Sequence, residues 1–399
     1  MTVNLAGLNL KNPIVVTSSP LTSHVDLLKV AEDNDAAAAS LKLTFSRLPF
    51  AGKLRSYSVP NRGLLFGIDR RLSRDEGLEL MRRGKEETSL VLLANITNPL
   101  TDIDSWISLA RDFQDAGADA IEANMTCPHI GIQSTKFGKV VPQELYSGGS
   151  IGMDPAHCFA IIESLKKNLH IPVIAKPYPL HPRFVDSMKA IYKAGADAVS
   201  ISTTISDCLP SPDIYNEGKP LISLLDNINL GTVSGNPLSK HSTFGKVAIV
   251  NTTVPLPIVA AGGVTNWSDV IEMIMWGASA VGICTHIMWY GFEAIPRILK
   301  GIRAYEENQD LDSLDSIRGI ATKYLAQPNA LRILEGSAVI DHDICNGCGK
   351  CLKPGHCVAI TMKRGKARVE KDKCIGCSVC VSVCDQHAIH MEVYNKDNV

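Results

Sequence analysis

The 399-residue chain lacks several features that would have assigned it quickly. It has no run of 18 apolar residues, which argues against a membrane-spanning helix. No basic segment leading into an apolar stretch reads as a signal peptide, so a cytoplasmic location is expected. No Gly-x-Gly-x-x-Gly follows any predicted strand, which removes a dinucleotide site of the Rossmann kind. Charge of one sign is missing too: 40 basic residues face 41 acidic ones, for a net charge of −1. Nucleic acid and anionic membranes normally demand a basic surface, so neither is expected as a partner. The 12 cysteines do not form an even disulfide framework: eight lie between Cys345 and Cys384, and Cys127, Cys158, Cys208 and Cys284 are scattered before them. Clustered cysteines without signs of export point to reduced thiols that bind metal.

What is present is an alternation. Apolar runs at Pro13–Ser18, Ala37–Leu43, Leu90–Ile96, Asp119–Asn124, Pro172–Lys176, Asp197–Ser202, Leu256–Ala261 and Ser279–Cys284 read as strands. Between most of them lie amphipathic segments such as Trp106–Asp115, Ala156–Asn168, Phe184–Ala194 and Trp267–Trp276. Eight strands alternating with helices predict a (β/α)8 TIM barrel. An internal echo supports the αβ unit: Ala-Gly-Ala-Asp-Ala at 116–120 and 194–198, and Trp-Gly-Ala-Ser-Ala at 276–280. Glycine there permits the left-handed cap that ends a helix. A doubly wound open sheet uses the same turn, but the strand count favours the barrel. Domains are expected at 1–310 (barrel), 311–338 (helical linker, with a helix start near Asp312–Ser316) and 339–399.

In such a barrel the chemistry sits at the C-terminal strand ends. Those ends carry Ser18-Ser19, Lys42, Asn95, Asn124, Lys176, Ser202-Thr203-Thr204, Gly262-Gly263 and Cys284-Thr285. Two lysines at strand ends of a central sheet are costly as core, and so are candidates for a charged ligand. Gly262-Gly263, with Ser234-Gly235 before it, lies where loop amides and a helix N-terminus hold a phosphate. Asn124-Met125-Thr126-Cys127-Pro128 places a thiol at the mouth of the site. On its own, such a cysteine is most often a small buried hydrophobe; beside Asn124 and Thr126 it suits proton transfer next to an electron-carrying cofactor. Two long loops follow, Pro128–Gly152, read as a lid, and Ser206–Val247, leading into Ser234-Gly235.

The C-terminal cysteines form two runs, Cys345-x2-Cys348-x2-Cys351-x5-Cys357 and Cys374-x2-Cys377-x2-Cys380-x3-Cys384. This is the bacterial two-cluster ferredoxin pattern, in which the fourth cysteine of each run serves the other cluster. One [4Fe–4S] cluster is then expected on Cys345, Cys348, Cys351 and Cys384, the other on Cys374, Cys377, Cys380 and Cys357. Gly347 and Gly376 fall where tight turns are needed. The x5 gap reads as an insertion in the connecting loop, and paired zinc ribbons would instead show two cysteine pairs per ion. His129 near the site and His356 and His387 beside the clusters can be read as tuning potentials or as surface groups, and the surface reading is preferred for all but His129.

Barrel and tail together resemble the class 1 dihydroorotate dehydrogenase superfamily, and within it the bacterial dihydropyrimidine dehydrogenase subunits with FMN and two [4Fe–4S] clusters. The family's Asn-x-Ser-Cys-Pro motif corresponds to Asn124–Pro128, with Thr126 keeping the hydroxyl. The resemblance implies Cys127 as general acid/base. It implies Asn124, Thr126, Thr203, Thr204 and Gly67 about the substrate, the last as the match to a pyrimidine-binding asparagine replaced here, like Thr203. It implies FMN contacts from Ser18, Ser19, Lys42, Asn95, Asn124, Lys176, Ser202, Ser234, Gly235, Gly262, Gly263, Cys284 and Thr285. The expected reaction is hydride exchange between flavin N5 and a carbon–carbon bond beside a carbonyl, with electrons passing through the clusters. Expected partners are a small cyclic carbonyl substrate, an NAD(P)H/FAD subunit or ferredoxin, and further copies in an oligomer. Alternatives are the same chemistry on a non-pyrimidine conjugated cyclic carbonyl, a pure electron-transfer subunit, and a flavin enzyme reducing uridine in transfer RNA.

Overall fold

The computed structural model describes residues 1–48, 56–60, 63–66, 70–127, 147–208, 212, 214–217, 232–235, 237–326 and 335–394, with side chains at 56–59, 63–66, 205–208 and 232–234 left aside. It divides into two compact units, Met1–Tyr324 and Leu325–Val399. Among the described residues no helix is long and apolar enough to cross a membrane.

The first unit is a closed barrel of eight parallel strands: β1 (Ile14–Val16), β2 (Ala38–Ser40), β3 (Val91–Ile96), β4 (Ala120–Met125), β5 (Val173–Pro177), β6 (Ala198–Ser202), β7 (Ile258–Ala261) and β8 (Ala280–Ile283). They pair in chain order and β8 closes on β1. All eight expected strands are present, each slightly trimmed or shifted. Helices follow in turn: α1 (Val25–Asp33), α2 (Arg74–Glu87), α3 (Ile103–Asp115), α4 (Pro155–Asn168), α5 (Phe184–Lys193), α6 (Ser239–Thr253), α7 (Trp267–Met275) and α8 (Ala294–Asn308). Capping boxes at Ser73/Glu76 and Asn266/Asp269 start α2 and α7, and Asp154 with Pro155 starts α4. Each cap supplies acceptors or a ring where the first helical N–H groups have no partner.

The period of two along a strand sorts the core. Val15, Leu93, Ala120, Ile174, Ala198, Val259 and Ala280 join Ala38 in one apolar cluster inside the barrel floor. Val3, Leu5 and Leu10 of the N-terminal hairpin (Val3–Leu5 with Leu8–Leu10) complete that cluster. Residues of opposite parity, such as Val16, Leu92, Ile121, Ala175 and Ile201, pack with the helices in the larger cluster. Two residues above the floor the inward positions turn polar: Ser40, Asn95, Glu122, Lys176 and Ser200, all buried.

The echoed motif has a structural use. Gly117, Gly195 and Gly277 take positive φ and end α3, α5 and α7. The Asp119 carboxylate then accepts from the Leu92 amide (2.7 Å) and pairs with Lys85 (2.8 Å). Asp197 does the same with the Val173 amide (2.7 Å) and Lys166 (2.6 Å). Ser279 replaces it in the third copy, accepting from the Ile258 amide (3.4 Å).

The stretch expected as one loop, 206–247, is partly regular. Ile205–Cys208 and Thr232–Gly235 join Ser56–Val59 and Gly63–Phe66 in a four-stranded antiparallel sheet, and α6 begins at Ser239. The helix was hidden because its apolar residues form no single stripe and Gly245 sits inside it. Beyond α8, Leu314–Ile317 and Ile320–Tyr324 are 3-10 turns within the first unit, the former capped by Ser313.

The second unit pairs Gly336–Ile340 with Ile389–Val393 and Ile360–Lys363 with Lys366–Val369, both antiparallel. Ala338, Ile340, Ile360, Ala367 and Ile389 pack with Cys351 and Cys380 in its small core.

Candidate active site

The expected flavin and substrate residues that the structure describes stand at one rim, where β1 to β8 end. β4 supplies the centre. Its inward side chains, Glu122 and Asn124, sit in a chain of hydrogen bonds that runs from the thiol loop to the buried lysine. The amides of Thr126 and Cys127 both donate to Asn124 Oδ1 at 2.9 Å. Asn124 Nδ2 donates to Asn95 Oδ1 (2.9 Å), and Asn95 Nδ2 donates to Glu122 Oε2. That oxygen also accepts from Ser40 Oγ (2.5 Å) and lies 3.4 Å from Lys176 Nζ. The Thr126 hydroxyl spans to the carbonyls of Lys176 (3.1 Å) and Pro177 (2.7 Å), fastening the end of β4 to that of β5. Cys127 is half-buried at the end of this network.

Burial works to raise the Glu122 carboxyl pKa, but Lys176 and hydrogen bonds from Ser40, Ser200 and Asn95 outweigh it and hold it below its usual range. A buried carboxylate and a buried ammonium therefore coexist, each compensating the other. Glu122 was missed as a site residue, although its place two residues before Asn124 on the inward parity of β4 was a signal for it. The structure shows a second thiol, Cys158, in a different condition. It is buried on α4, and burial pushes it up to about 12, which leaves it inert.

On the other side of the rim the backbone is crowded. A Cβ on Gly262 would lie 2.5 Å from the Thr203 carbonyl oxygen, and one on Gly263 would lie 2.2 Å from the Lys240 amide nitrogen. Both glycines have positive φ. A Cβ on Gly235 would lie 2.6 Å from Thr285 Oγ1, so the Ser234-Gly235 strand end meets the turn after β8. Lys240 is pinned to Asp269 (2.6 Å) and Glu272 (3.1 Å), while Asp269 accepts from the Thr265 amide (2.7 Å). Burial disfavours the Asp269 carboxylate, yet Lys240 and Thr265 hold its pKa below the usual range. Lys42 is buried at the end of β2, and Ser19 caps the Pro20–Thr22 turn. Ser18, Ser202, Thr204 and Cys284 are half-buried around the same rim. Thr203 is buried, its hydroxyl engaged with the Ser239 carbonyl (3.2 Å) and with Thr243. Gly67, His129 and 128–146 of the expected lid lie outside the described residues.

This donor set fits FMN. Close-packed glycine turns let backbone amides approach a phosphate, and two buried lysines, Lys42 and Lys176, bring positive charge to the rim where an anionic group would bind. In the second unit the cysteines gather in two sets. Burial raises the Cys351 thiol, and Cys345, Cys348 and Cys384 raise it further; Cys380 is raised likewise by burial and by Cys357, Cys374 and Cys377. Each set lines its own cavity. Gly347 and Gly376 both have positive φ in the turns.

The dihydroorotate dehydrogenase family model matches residues 51–305, and a 4Fe-4S dicluster domain model matches 337–385. The chain belongs to the dihydroorotate dehydrogenase family. It is similar to the dihydroorotate dehydrogenase B (NAD(+)) catalytic subunit of Pyrococcus abyssi, 27% identical over 333 residues that cover 80% of this chain and 99% of that one. It is also similar to the NAD-dependent dihydropyrimidine dehydrogenase subunit PreA of Escherichia coli K12, 27% identical over 283 residues. That match covers 69% of this chain and 64% of PreA. As a family member, this dihydroorotate dehydrogenase-like chain is a flavin-dependent oxidoreductase of CH–CH donors carrying an iron–sulfur domain.

Proposed function

We propose that the chain interconverts a pyrimidine-type ring and its dihydro form, with Cys127 as the general acid/base. The observation that carries this reading is the hydrogen-bonded chain from the Cys127 amide through Asn124, Asn95 and Glu122 to Lys176. It presents a thiol at a fixed point on the rim, with a buried cation on the neighbouring strand. FMN, when bound, supplies hydride exchange at the carbon β to the carbonyl. Cys127 gives the proton to the α-carbon in reduction and takes it in oxidation. Lys176, with Lys42, favours negative charge at the flavin edge, and Glu122 sets how much of that charge is already offset. The Gly235, Gly262–Gly263 and Thr285 turns would hold the FMN phosphate.

Cys345, Cys348, Cys351 and Cys384 would hold one [4Fe–4S] cluster, and Cys357, Cys374, Cys377 and Cys380 the other. Both relatives are named as NAD-dependent subunits, so electrons are expected to reach NAD through a partner chain, an NAD(P)H/FAD subunit or a ferredoxin.

A second reading, a non-pyrimidine conjugated cyclic carbonyl substrate, is favoured by Thr203. Where pyrimidine-reducing members offer an amide, this hydroxyl is engaged with Ser239 and Thr243. A ring with amide edges would leave its own donors and acceptors short of partners. The test is anaerobic. Chemically reduced enzyme is mixed with uracil, thymine, orotate or cyclohexenone, flavin and cluster absorbance is followed, and products are weighed. Reoxidation with a gain of two hydrogens in a pyrimidine supports the first reading. Reoxidation by the enone alone selects the second, and no reoxidation by any of them removes both.

A further inference from the structure

The two cysteine runs differ in one respect: five residues separate Cys351 from Cys357, where three separate Cys380 from Cys384. The longer gap, Leu352-Lys353-Pro354-Gly355-His356, does more than lengthen a loop. The Cys357 amide donates to the Pro354 carbonyl (3.2 Å), forming a turn that projects the intervening histidine. His356 Nε2 lies 3.2 Å from Cys377 Sγ. Cys377 is the middle cysteine of its triplet. Its counterpart Cys348 is equally exposed, but among the described residues it has no imidazole partner; its amide donates to Asn346 Oδ1 (3.2 Å). The two sites therefore match in ligand type and are both exposed at this position; Cys377 has an imidazole beside its sulfur, whereas Cys348 has Lys350 nearby, a cation already paired with Asp385.

A neutral imidazole with its proton on Nε2 donates to a thiolate. Such a bond draws charge from the cluster sulfur and favours the more negative, reduced state, so it raises the reduction potential. We propose that His356 is a positioning residue that donates Nε2–H to Cys377. It makes the cluster held by Cys357, Cys374, Cys377 and Cys380 the higher-potential one of the pair. Electrons entering the second unit then come to rest on that cluster first. The inference rests on the two-cluster reading above.

The test is an EPR-monitored redox titration of the full-length holoprotein, wild type against His356→Ala and His356→Gln, each checked for iron and FMN content. Two midpoints are expected in the wild type, and in His356→Ala only the higher one falls. Removing the ring also admits water to the sulfur, which alone would raise that midpoint, so a fall reports the lost N–H. His356→Gln, which keeps a donor, stays nearer the wild type. Unchanged midpoints, a rise, or equal movement of both would overturn the proposal. Should the alanine variant lose iron, pulsed EPR of reduced wild type with 15N-histidine decides. A histidine nitrogen coupling at one cluster supports the bond, and none overturns it. A wild-type protein carrying fewer than two clusters defeats the two-cluster reading instead.

Discussion

Replacing Glu122 by Gln removes the counterion of a buried lysine and little else in volume. Glu122 and Lys176 have side-chain exposures of 3% and 8% and stand 3.4 Å apart. At that distance, with an effective dielectric of about 20, the attraction is about 5 kcal/mol. Stripping one partner from a buried pair typically costs about 3–5 kcal/mol, whether the lysine stays charged or sheds its proton. We expect the FMN-free barrel to lose about that much stability at neutral pH. All four tryptophans (Trp106, Trp267, Trp276, Trp289) lie in the first unit, so their fluorescence during urea unfolding reports the barrel alone. The double variant Glu122→Gln/Lys176→Met should recover at least about 2 kcal/mol, because the orphaned charge is gone. With FMN bound, the single variant should raise the flavin midpoint potential, since Lys176 then offers its full charge to the reduced ring. A loss below about 1 kcal/mol, or strictly additive single effects, would refute the pairing on which the site is built.

Other consequences are as direct. Gly263→Ala forces a Cβ to 2.2 Å from the Lys240 amide nitrogen at φ +81. It should cost about 1–3 kcal/mol and weaken FMN retention, read by fluorescence titration of the apoprotein. Thr126→Val removes the tie to the Lys176 and Pro177 carbonyls; a fall of about 1–2 kcal/mol is expected, with turnover reduced while the Cys127 thiol count is unchanged. Burial, helped by Lys246 and Arg183, lowers the His181 pKa from 6.5 to about 4. The folded state thus prefers the neutral ring. Its contribution is complete above pH 6.5 and is lost as pH falls from there to about 4, by roughly 3 kcal/mol at most. The difference in unfolding free energy between wild type and His181→Gln should shrink across that window, and a flat difference would count against it.

Much of this was readable before any coordinates. Apolar runs between helical patterns mark all eight strands, because a strand buried on both faces is apolar along most of its length, with polar side chains only toward the C-terminal end that faces the rim. Cap glycines 117, 195 and 277 mark the αβ turns for the steric reason that only glycine takes that φ without strain. The strand ends list most of the rim. What stayed hidden depended on closure. Ser40 and Asn95 reach Glu122 across 82 and 27 residues of chain, so the carboxylate reads as an isolated charge until the barrel brings them together. Thr203 reads as a substrate contact, yet its hydroxyl turns to α6, a helix that no apolar stripe announced. His356 reads as a surface group and is exposed, but its partner sulfur stayed hidden because it comes from the other cysteine run.

The central claim is that Cys127 moves a proton at a carbon beside a carbonyl while electrons move elsewhere. Stopped-flow reoxidation of the anaerobically reduced enzyme by its best substrate, wild type against Cys127→Ser, tests it most directly. The account predicts that the half-reaction slows by about 10²–10⁴-fold in the variant, with FMN and iron content unchanged. An equal rate in the two proteins would contradict it.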